Sequence, residues 1–255
     1  LIPLFALSEV GYKRIIELSS LSYLSNDGTT EPHLNFEELI KRNDGVSVFS
    51  GTINGLIGQL FNKGKFSDIE ELYSKIKLAY GDKFYLEIQR HGDQNEISFE
   101  KFNLSLSSKL EIPIIATNEV FYSNKDMYEA HDALICIKNK TYINEKNRIK
   151  YSNQHYLKNN SEILELFSDL PEALENNYNF PYRCNFRPSF SKPILPDISS
   201  DKGGNADEIL KSNSYEGLKE KFRNVFNLKD KDLSNNEKYL IYKDRLDHEL
   251  EIIIQ

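Results

Sequence analysis

The sequence predicts an α/β fold with a mainly parallel sheet, followed by a mainly helical region. Short apolar runs rich in β-branched residues alternate with segments of helical periodicity through the first half of the 255 residues. This alternation is typical of βα units that build a parallel sheet. From residue 142 onward the pattern changes to amphipathic helices and a polar connector. Hydrophobic residues make up 39% and charged residues 28% of the chain, which allows a buried core and a charged surface.

The individual elements are predicted from local periodicity and from capping residues. Strands are predicted at residues 1–6, 45–50, 84–89 and 114–117. Helices are predicted at residues 8–23, 35–41, 53–61, 66–80, 96–110, 126–136, 161–170, 171–177, 206–226 and 235–254. Ser8 and Ser161 are the expected N-caps of their helices, because a serine hydroxyl can accept a hydrogen bond from a free N–H of the first turn.

Charge and cysteine content restrict the class of protein. The formal net charge is -7, which argues against this segment being a main DNA-binding surface and leaves a local basic patch open. Cys136 and Cys184 form no C-x-x-C pair, so no zinc knuckle or redox motif is predicted. Isolated cysteines fit the reducing cytoplasm, and no apolar run is long enough to predict a membrane span. We therefore expect a cytoplasmic protein without membrane contact.

Polar clusters follow three of the predicted strands, and they indicate where a site would form. The clusters are Ser50-Gly51-Thr52, Gln89-Arg90-His91-Gly92 and Thr117-Asn118-Glu119. The carboxyl ends of parallel strands meet at one edge of a sheet, where ligands bind in α/β folds. An active site, past or present, is expected at this edge. Neither a phosphate-binding G-K-[ST] loop nor a G-x-S-x-G serine elbow occurs in the sequence.

Several phrases resemble one protein family when they are read in order. They are EVGY at 9–12, GVSVFSG at 45–51, GDKFYLEIQRHG at 81–92, PIIATN at 113–118, EAHDALICI at 129–137, YL at 156–157, LFSDLPEALEN at 166–176, RCN at 183–185, LP at 195–196 and YKDRLDHELEI at 242–252. Each phrase is weak alone. Their order and spacing across nearly the whole chain are similar to the alpha subunit of bacterial DNA polymerase III, the DNA-directed polymerase of chromosomal replication.

The resemblance implies an incomplete (βα) barrel of the polymerase and histidinol phosphatase (PHP) type, with mostly parallel strands. It divides the chain into the C-terminal part of a PHP domain at 1–186, a connector at 187–206 and the mainly helical beginning of the polymerase palm at 207–255. By the same comparison, the family's opening histidine pair would precede Leu1 and its aspartates would follow Gln255, so we expect the parent protein to continue at both ends. Nucleotide addition needs those carboxylates, and this segment alone is expected not to polymerise.

The resemblance also implies a degraded metal site. Metal-binding relatives gather histidines and carboxylates at the strand ends, where zinc or manganese can activate water for phosphoester cleavage. His91 matches a family ligand, but the family's Asn-Asp-Val-His is Asn-Glu-Val-Phe at 118–121, and Thr52 stands where cysteine is frequent. Three or four ligands are normally needed. We therefore expect no catalytic residue, no cofactor and no metal here, with His91 and Glu119 as vestigial candidates and Mg²⁺ only in the full-length polymerase.

Two other functions stay open on the sequence alone. One is an active PHP phosphoesterase, an exonuclease or pyrophosphatase, whose other ligands lie in the missing N-terminal part. The other is a stand-alone interaction protein. If the chain is part of the polymerase, the resemblance implies that its partners are other DNA polymerase III subunits, the proofreading exonuclease among them. DNA would be bound through the rest of the parent chain. An open sheet should expose strand edges, so the isolated chain is expected to be poorly soluble or partly molten.

The remaining histidines and both cysteines have ordinary structural explanations. His33, His155 and His248 are expected on the surface. His131 precedes Asp132 on a helix, where neighbouring side chains do not face each other, so a hydrogen bond at the helix terminus is preferred over catalysis. Cys136 is expected in the core, and Cys184 is expected to pack without acting as a nucleophile. The site prediction therefore depends on His91 and Glu119 alone.

Overall fold

The computed structural model describes residues 1–26, 28–194 and 205–255, without the Asp230 side chain. The described residues separate into two units, Leu1–Pro188 and Ser189–Gln255. The predicted domain limits at 186 and 207 stay predictions. Residues 195–204 of the predicted connector, and with them the LP phrase at 195–196, lie outside the described residues.

The first unit contains the sheet and the helices that flank it. Its strands are β1 (Leu4–Ala6), β2 (Val46–Phe49), β3 (Phe84–Ile88) and β4 (Ile114–Ala116). Its helices are α1 (Glu9–Leu24), α2 (Phe36–Lys41), α3 (Leu56–Asn62), α4 (Phe66–Tyr80), α5 (Gln94–Leu110), α6 (Tyr128–Asn139), α7 (Asn160–Leu166) and α8 (Pro171–Arg183). Short 3-10 turns occupy Gly81–Lys83 and Lys125–Met127.

The sheet is open and mostly parallel in the part of the chain that the structure describes. Its strand order is β1-β2-β3-β4. β2 pairs with β3, and β3 with β4, in parallel, with Val48 opposite Phe84 and Leu86 opposite Ile114. β1 runs antiparallel to β2. The predicted α/β class is confirmed, and the open sheet fits an incomplete barrel of the PHP type.

One face of the sheet packs against α4 and α5. Every second residue of β3 points its side chain to this face, and these residues, Phe84, Leu86 and Ile88, belong to the main apolar core. Helix α4 buries Ile69 and Tyr73, which lie one turn apart on the same side of the helix. Burial of this stripe explains why the helix predicted at 66–80 has the same limits in the structure.

The opposite face of the sheet leads toward the polar strand ends. Phe49, Tyr85 and Ile115 pack there with Phe180 of α8. Because side chains alternate along a strand, Glu87 lies on the same face as Tyr85, one step nearer the carboxyl edge. The sheet therefore delivers a carboxylate to the edge where the sequence predicts a site.

Helix caps agree with the prediction at one position and correct it at another. Ser8 is the N-cap of α1, and its hydroxyl accepts from the backbone N–H of Gly11 at 3.3 Å. The N-cap of α7 is Asn159 and not Ser161, because Asn159 forms a capping box with Glu162. α7 also ends at Leu166, earlier than the predicted residue 170, and α8 extends to Arg183, beyond the predicted residue 177.

The second unit is helical where it is described. It comprises α9 (Ala206–Phe226), α10 (Asp230–Leu233) and α11 (Glu237–Ile254). Phe222, Leu233 and Tyr239 form its small apolar core. The short α10 was not predicted from the sequence. Among the described helices, none is both long and apolar enough to cross a membrane.

Candidate functional site

His91 lies just after β3 and is only 2% exposed. Its Nδ1 is 2.9 Å from Glu96 Oε1, and its backbone N–H donates to Glu96 Oε2 at 2.6 Å. On the other side of the ring, the backbone N–H of Glu119 donates to Nε2 at 3.1 Å. Since Nε2 accepts, the ring proton is on Nδ1 and is donated to Glu96. Both ring nitrogens of His91 are therefore occupied by protein groups.

A second imidazole, His155, stacks on His91. The two ring centroids are 4.0 Å apart and the planes differ by 3°. His155 is 7% exposed, and its Nδ1 lies 3.1 Å from the backbone carbonyl of Glu119. Burial lowers the pKa of His155 to about 4. The prediction that His155 lies on the surface is wrong, whereas His33 and His248 are exposed.

Phe121 covers the other side of His155. The two ring centroids are 5.0 Å apart, and Phe121 also stacks on His131 at 5.4 Å. The three rings of His91, His155 and Phe121 thus form a continuous column. A phenyl ring offers no lone pair to a metal ion, so this position of the strand end contributes packing instead of a ligand.

Two carboxylates stand beside this column. Glu87 is 7% exposed, and its Oε1 accepts from Gln89 Nε2 at 3.0 Å and from Thr117 Oγ1 at 2.5 Å. Burial raises the pKa of Glu87, against the lowering effect of the Thr117 hydrogen bond. Burial also raises the pKa of Glu119, whose Oε2 lies 3.8 Å from His155 Nδ1. The arrangement desolvates two carboxylates without giving either a cationic partner at hydrogen-bond distance in the described chain.

The three polar clusters predicted at the strand ends do lie together. Ser50 Oγ accepts from the backbone N–H of Glu87 at 2.9 Å, which joins the ends of β2 and β3. Gln89 Nε2 donates to Thr117 Oγ1 at 2.9 Å, which joins β3 to the end of β4. Thr52 is the exception, because its hydroxyl accepts from the backbone N–H of Asn54 and serves the local turn.

The donor atoms at this edge do not fit a zinc or manganese ion. His91 uses its Nε2 lone pair to accept the Glu119 N–H, and Phe121 has no donor. Within the described residues, no group of three or more His, Cys, Asp or Glu side chains could hold a metal ion. Among the described residues, the groups at this edge therefore make hydrogen bonds to one another and pack against stacked rings.

The family model that matches this chain is that of the PHP domain, over residues 2–91. The match includes β1, β2 and β3 and ends at His91, so it covers Ser50, Glu87 and His91 of the edge described above, while Glu119, Phe121 and His155 lie beyond it.

Nearly the whole chain is similar to proteins named DNA polymerase III subunit alpha, which confirms the resemblance found in the sequence. The protein of Caulobacter vibrioides is 33% identical over 250 residues, 98% of this chain and 21% of that protein. The protein of Rickettsia bellii is 33% identical over 253 residues, 99% of this chain and 22% of that protein. The protein of Borreliella burgdorferi is 34% identical over 254 residues, 98% of this chain and 21% of that protein. The chain spans about a fifth of the length of these curated relatives.

A cleft opens over the stacked rings of His91 and His155. Its volume is about 710 Å³, and it is lined by His91, Glu119, Lys150 and Tyr151 among others. Arg148 also lines this cleft, but its guanidinium forms two hydrogen bonds with Asp132, at 2.6 and 2.7 Å. These bonds to Asp132 therefore hold Arg148 in place, and with it the segment at 148–152 that lines the cleft.

Several important groups of the site were not identified from the sequence. Glu87 could have been found, because period-two alternation in FYLEIQ places it with Tyr85 on the face that leads to the strand ends. Glu96 lies in the first turn of α5 and carries no sequence signal for its bonds to His91. His155 reaches the site through tertiary packing alone. Cys136 is buried as expected, and Cys184 is half-buried, with burial raising the pKa of its thiol.

Proposed function

We propose that this chain is a segment of a DNA polymerase III alpha subunit, and that its PHP part is a metal-free scaffold. The single observation that carries the second statement is the occupation of both ring nitrogens of His91 by Glu96 and by the Glu119 backbone. An imidazole that already accepts an N–H has no lone pair left for a metal ion. The PHP edge is then a rigid hydrogen-bonded platform without hydrolytic chemistry.

The proposed role of the platform is to support the palm and to dock partner subunits. Scaffolding is favoured by the density of interactions at the edge, where Arg90 binds Glu100, Asp169 and the carbonyl of Leu166. These bonds connect β3 to α5 and to the turn between α7 and α8. The partners we propose are the other polymerase subunits, the proofreading exonuclease among them. Nucleotidyl transfer, Mg²⁺ and DNA binding are assigned to the rest of the parent chain.

A measurement of the bound metal distinguishes the proposed metal-free scaffold from an active PHP phosphoesterase. The full-length parent protein and its His91→Ala variant are incubated with ZnCl₂ or MnCl₂, desalted and analysed for metal by mass spectrometry. Hydrolysis of bis(p-nitrophenyl) phosphate and of pyrophosphate is measured on the same samples. We expect far less than one ion per chain, no difference between the two proteins and no hydrolysis. Stoichiometric metal, with hydrolysis that is lost in the His91→Ala variant, would instead establish an active PHP enzyme.

Membership of a polymerase is tested separately by the coding sequence around this segment. A reading frame that continues downstream into an aspartate-rich palm segment is the expected result. A stop codon directly after the codon for Gln255 would contradict the polymerase assignment and would favour a stand-alone interaction protein.

A further inference from the structure

Helix α6 and the 3-10 turn before it present an apolar stripe to solvent. The stripe consists of Met127, Ala130, Leu134 and Ile137, all of which are exposed, and Ile137 is 75% exposed. Residues three and four apart lie on the same side of a helix, so these four side chains form one row. A surface helix of a globular protein normally turns its apolar stripe toward the core. The stripe of α6 has the opposite orientation.

The inner side of α6 is occupied by contacts within its own unit. Cys136 is buried there, and the half-buried ring of His131 stacks on Phe121, with the ring centroids 5.4 Å apart. Asp132 pairs with Arg148, whose side chain is only 4% exposed. Because these contacts fix which side of α6 faces inward, the stripe cannot be buried by a rotation of the helix. A partner must cover it from outside.

The C-terminal end of the stripe has a basic rim. Lys138, Lys140 and Lys146 are exposed, and in the described part of the chain none of them forms an ion pair. The carboxylate between them in sequence, Glu145, accepts a hydrogen bond from Thr141 Oγ1 at 2.6 Å. This local positive charge occurs in a chain whose formal net charge is -7. Charge complementarity therefore favours a partner that is acidic at this end.

We propose that the stripe docks an amphipathic helix of another protein, with the acidic end of that helix over Lys138 and Lys140. Apolar side chains of the partner, repeated every three or four residues, would pack along the row. At the other end of the stripe Asp126 and Glu129 outnumber Lys125, and an acidic end placed there would be repelled. The charges thus give the partner helix one direction. The inference specifies the docking role proposed above and rests on it.

A nucleic acid or a membrane fits this surface less well than a protein helix. Bases bind protein surfaces by stacking on aromatic rings, and none of the four stripe residues is aromatic. A nucleic acid would use the lysines and leave the stripe exposed. Helices that lie on membranes are rich in basic residues on their polar face, whereas α6 carries the exposed Glu129 in its first turn. An apolar patch with a polar rim is typical of protein interfaces.

Site-specific photo-crosslinking of the full-length parent protein in its own cells tests the proposal. Ile137→p-benzoylphenylalanine places the photoreactive group in the stripe, and mass spectrometry maps the peptide that it captures. The matched control is Leu78→p-benzoylphenylalanine, because Leu78 is 89% exposed on α4 but has the polar Ser74 and Lys75 as neighbours on its side of the helix. We expect an adduct from position 137 alone, in an apolar helical segment of another protein that is acidic at one end.

Co-purification of the captured protein with tagged full-length variants gives an independent readout. Leu134→Glu should reduce the recovered partner roughly tenfold or more, as loss of a central apolar anchor implies. Leu134→Met keeps an apolar side chain and should retain the partner, and Leu78→Glu should have no effect. Because Leu134 is 60% exposed, its substitution should leave the fold intact, which circular dichroism checks.

The outcomes separate this surface from the docking role itself. Partner subunits that co-purify equally with wild type and with Leu134→Glu would overturn the surface and leave the docking role standing. No partner subunit with the wild-type protein would overturn both. The proposal also fails if position 137 captures a segment of its own chain, a nucleic acid, a lipid, a protein segment without acidic residues, or nothing.

Discussion

At the scale of single residues, two buried glutamates at the edge of the sheet, Glu87 and Glu96, have opposite electrostatic surroundings. For Glu96, burial alone would raise the pKa, but the hydrogen bonds from the side chain and backbone of His91 outweigh it and hold the pKa below 4.5. For Glu87, burial dominates and the pKa lies above 4.5. Glu96 is thus held as an anion by its bonds to His91, while Glu87 has hydrogen-bond donors but no cationic partner among the described residues.

The buried imidazole of His155 predicts a pH dependence of stability. Its pKa is lowered from 6.5 to about 4, so between these pH values the unfolded chain binds a proton at this residue that the folded chain does not. The free energy of unfolding should therefore fall as the pH is lowered from 6.5 to 4. His155→Gln should lose about 1 to 2 kcal/mol at pH 7.5, because it gives up the stack on His91, and should weaken this pH dependence.

Urea unfolding followed by circular dichroism at several pH values measures the effect. The matched control is His33→Gln, since His33 is exposed and its substitution should leave both the stability and its pH dependence unchanged. If the His155→Gln and wild-type curves run parallel from pH 7.5 to 4, the burial of a neutral imidazole at this position is contradicted.

The limits of sequence-based prediction are also clearest at this scale. His91 could be singled out because it directly follows a predicted strand, where a parallel sheet places its site. His155 could not, because it reaches His91 through pairing between two irregular segments. The backbone N–H of Phe121 donates to the carbonyl of His155 at 2.9 Å, and that of Leu157 donates to Tyr122 at 3.0 Å. Such pairing between loops leaves no periodic trace in the sequence.

At the scale of elements, prediction of helix limits succeeded for two helices on different grounds. α4 buries an apolar stripe but has no side-chain cap, whereas α9 begins at the side-chain cap Asn205 and buries only Phe222. Helices α4 and α9 have the predicted limits, at 66–80 and 206–226. The prediction of helix limits was less accurate where two possible N-cap residues lie close together, as Asn159 and Ser161 do at the start of α7. Asn159 caps the helix because Glu162, three residues later, completes the capping box.

Arg90 connects the elements around the site, and it provides a test of their docking. Its guanidinium makes paired hydrogen bonds with Glu100 and with Asp169, all at 2.6 to 2.9 Å, and lies 4.9 Å from the ring centroid of Phe167. Lysine cannot reproduce this planar fork. Arg90→Lys should therefore lower the free energy of unfolding by about 2 kcal/mol.

The matched control for Arg90→Lys is Arg14→Lys. Arg14 bonds Glu17 on the surface of α1, and more than a third of each side chain is exposed. The control should change the free energy of unfolding by less than about 0.5 kcal/mol. Equal losses for both variants in urea unfolding would mean that Arg90 does not hold β3, α5 and the α7–α8 turn together.

At the scale of the whole molecule, the two edges of the open sheet are covered to different extents. At the β4 edge, α8 packs along the strand and Asn176 Nδ2 donates to the carbonyl of Ile114 at 2.8 Å. At the β1 edge, the backbone N–H of Asn185 reaches the carbonyl of Leu7 at 3.0 Å, just after the strand. β1 keeps Phe5 37% exposed. The open-sheet hazard predicted from the sequence is therefore concentrated at the β1 edge.

The isolated chain should associate through the β1 edge, because an exposed apolar strand edge is a template for pairing with another chain. Leu1, which precedes β1, is fully exposed, and a flanking charge opposes such pairing. Leu1→Lys should raise the monomer fraction in light scattering at micromolar concentrations. Leu24→Lys makes the same change of charge at the end of α1, away from the sheet, and should have a smaller effect. A wild-type chain that is monomeric and melts in one sharp two-state transition would contradict association through this edge.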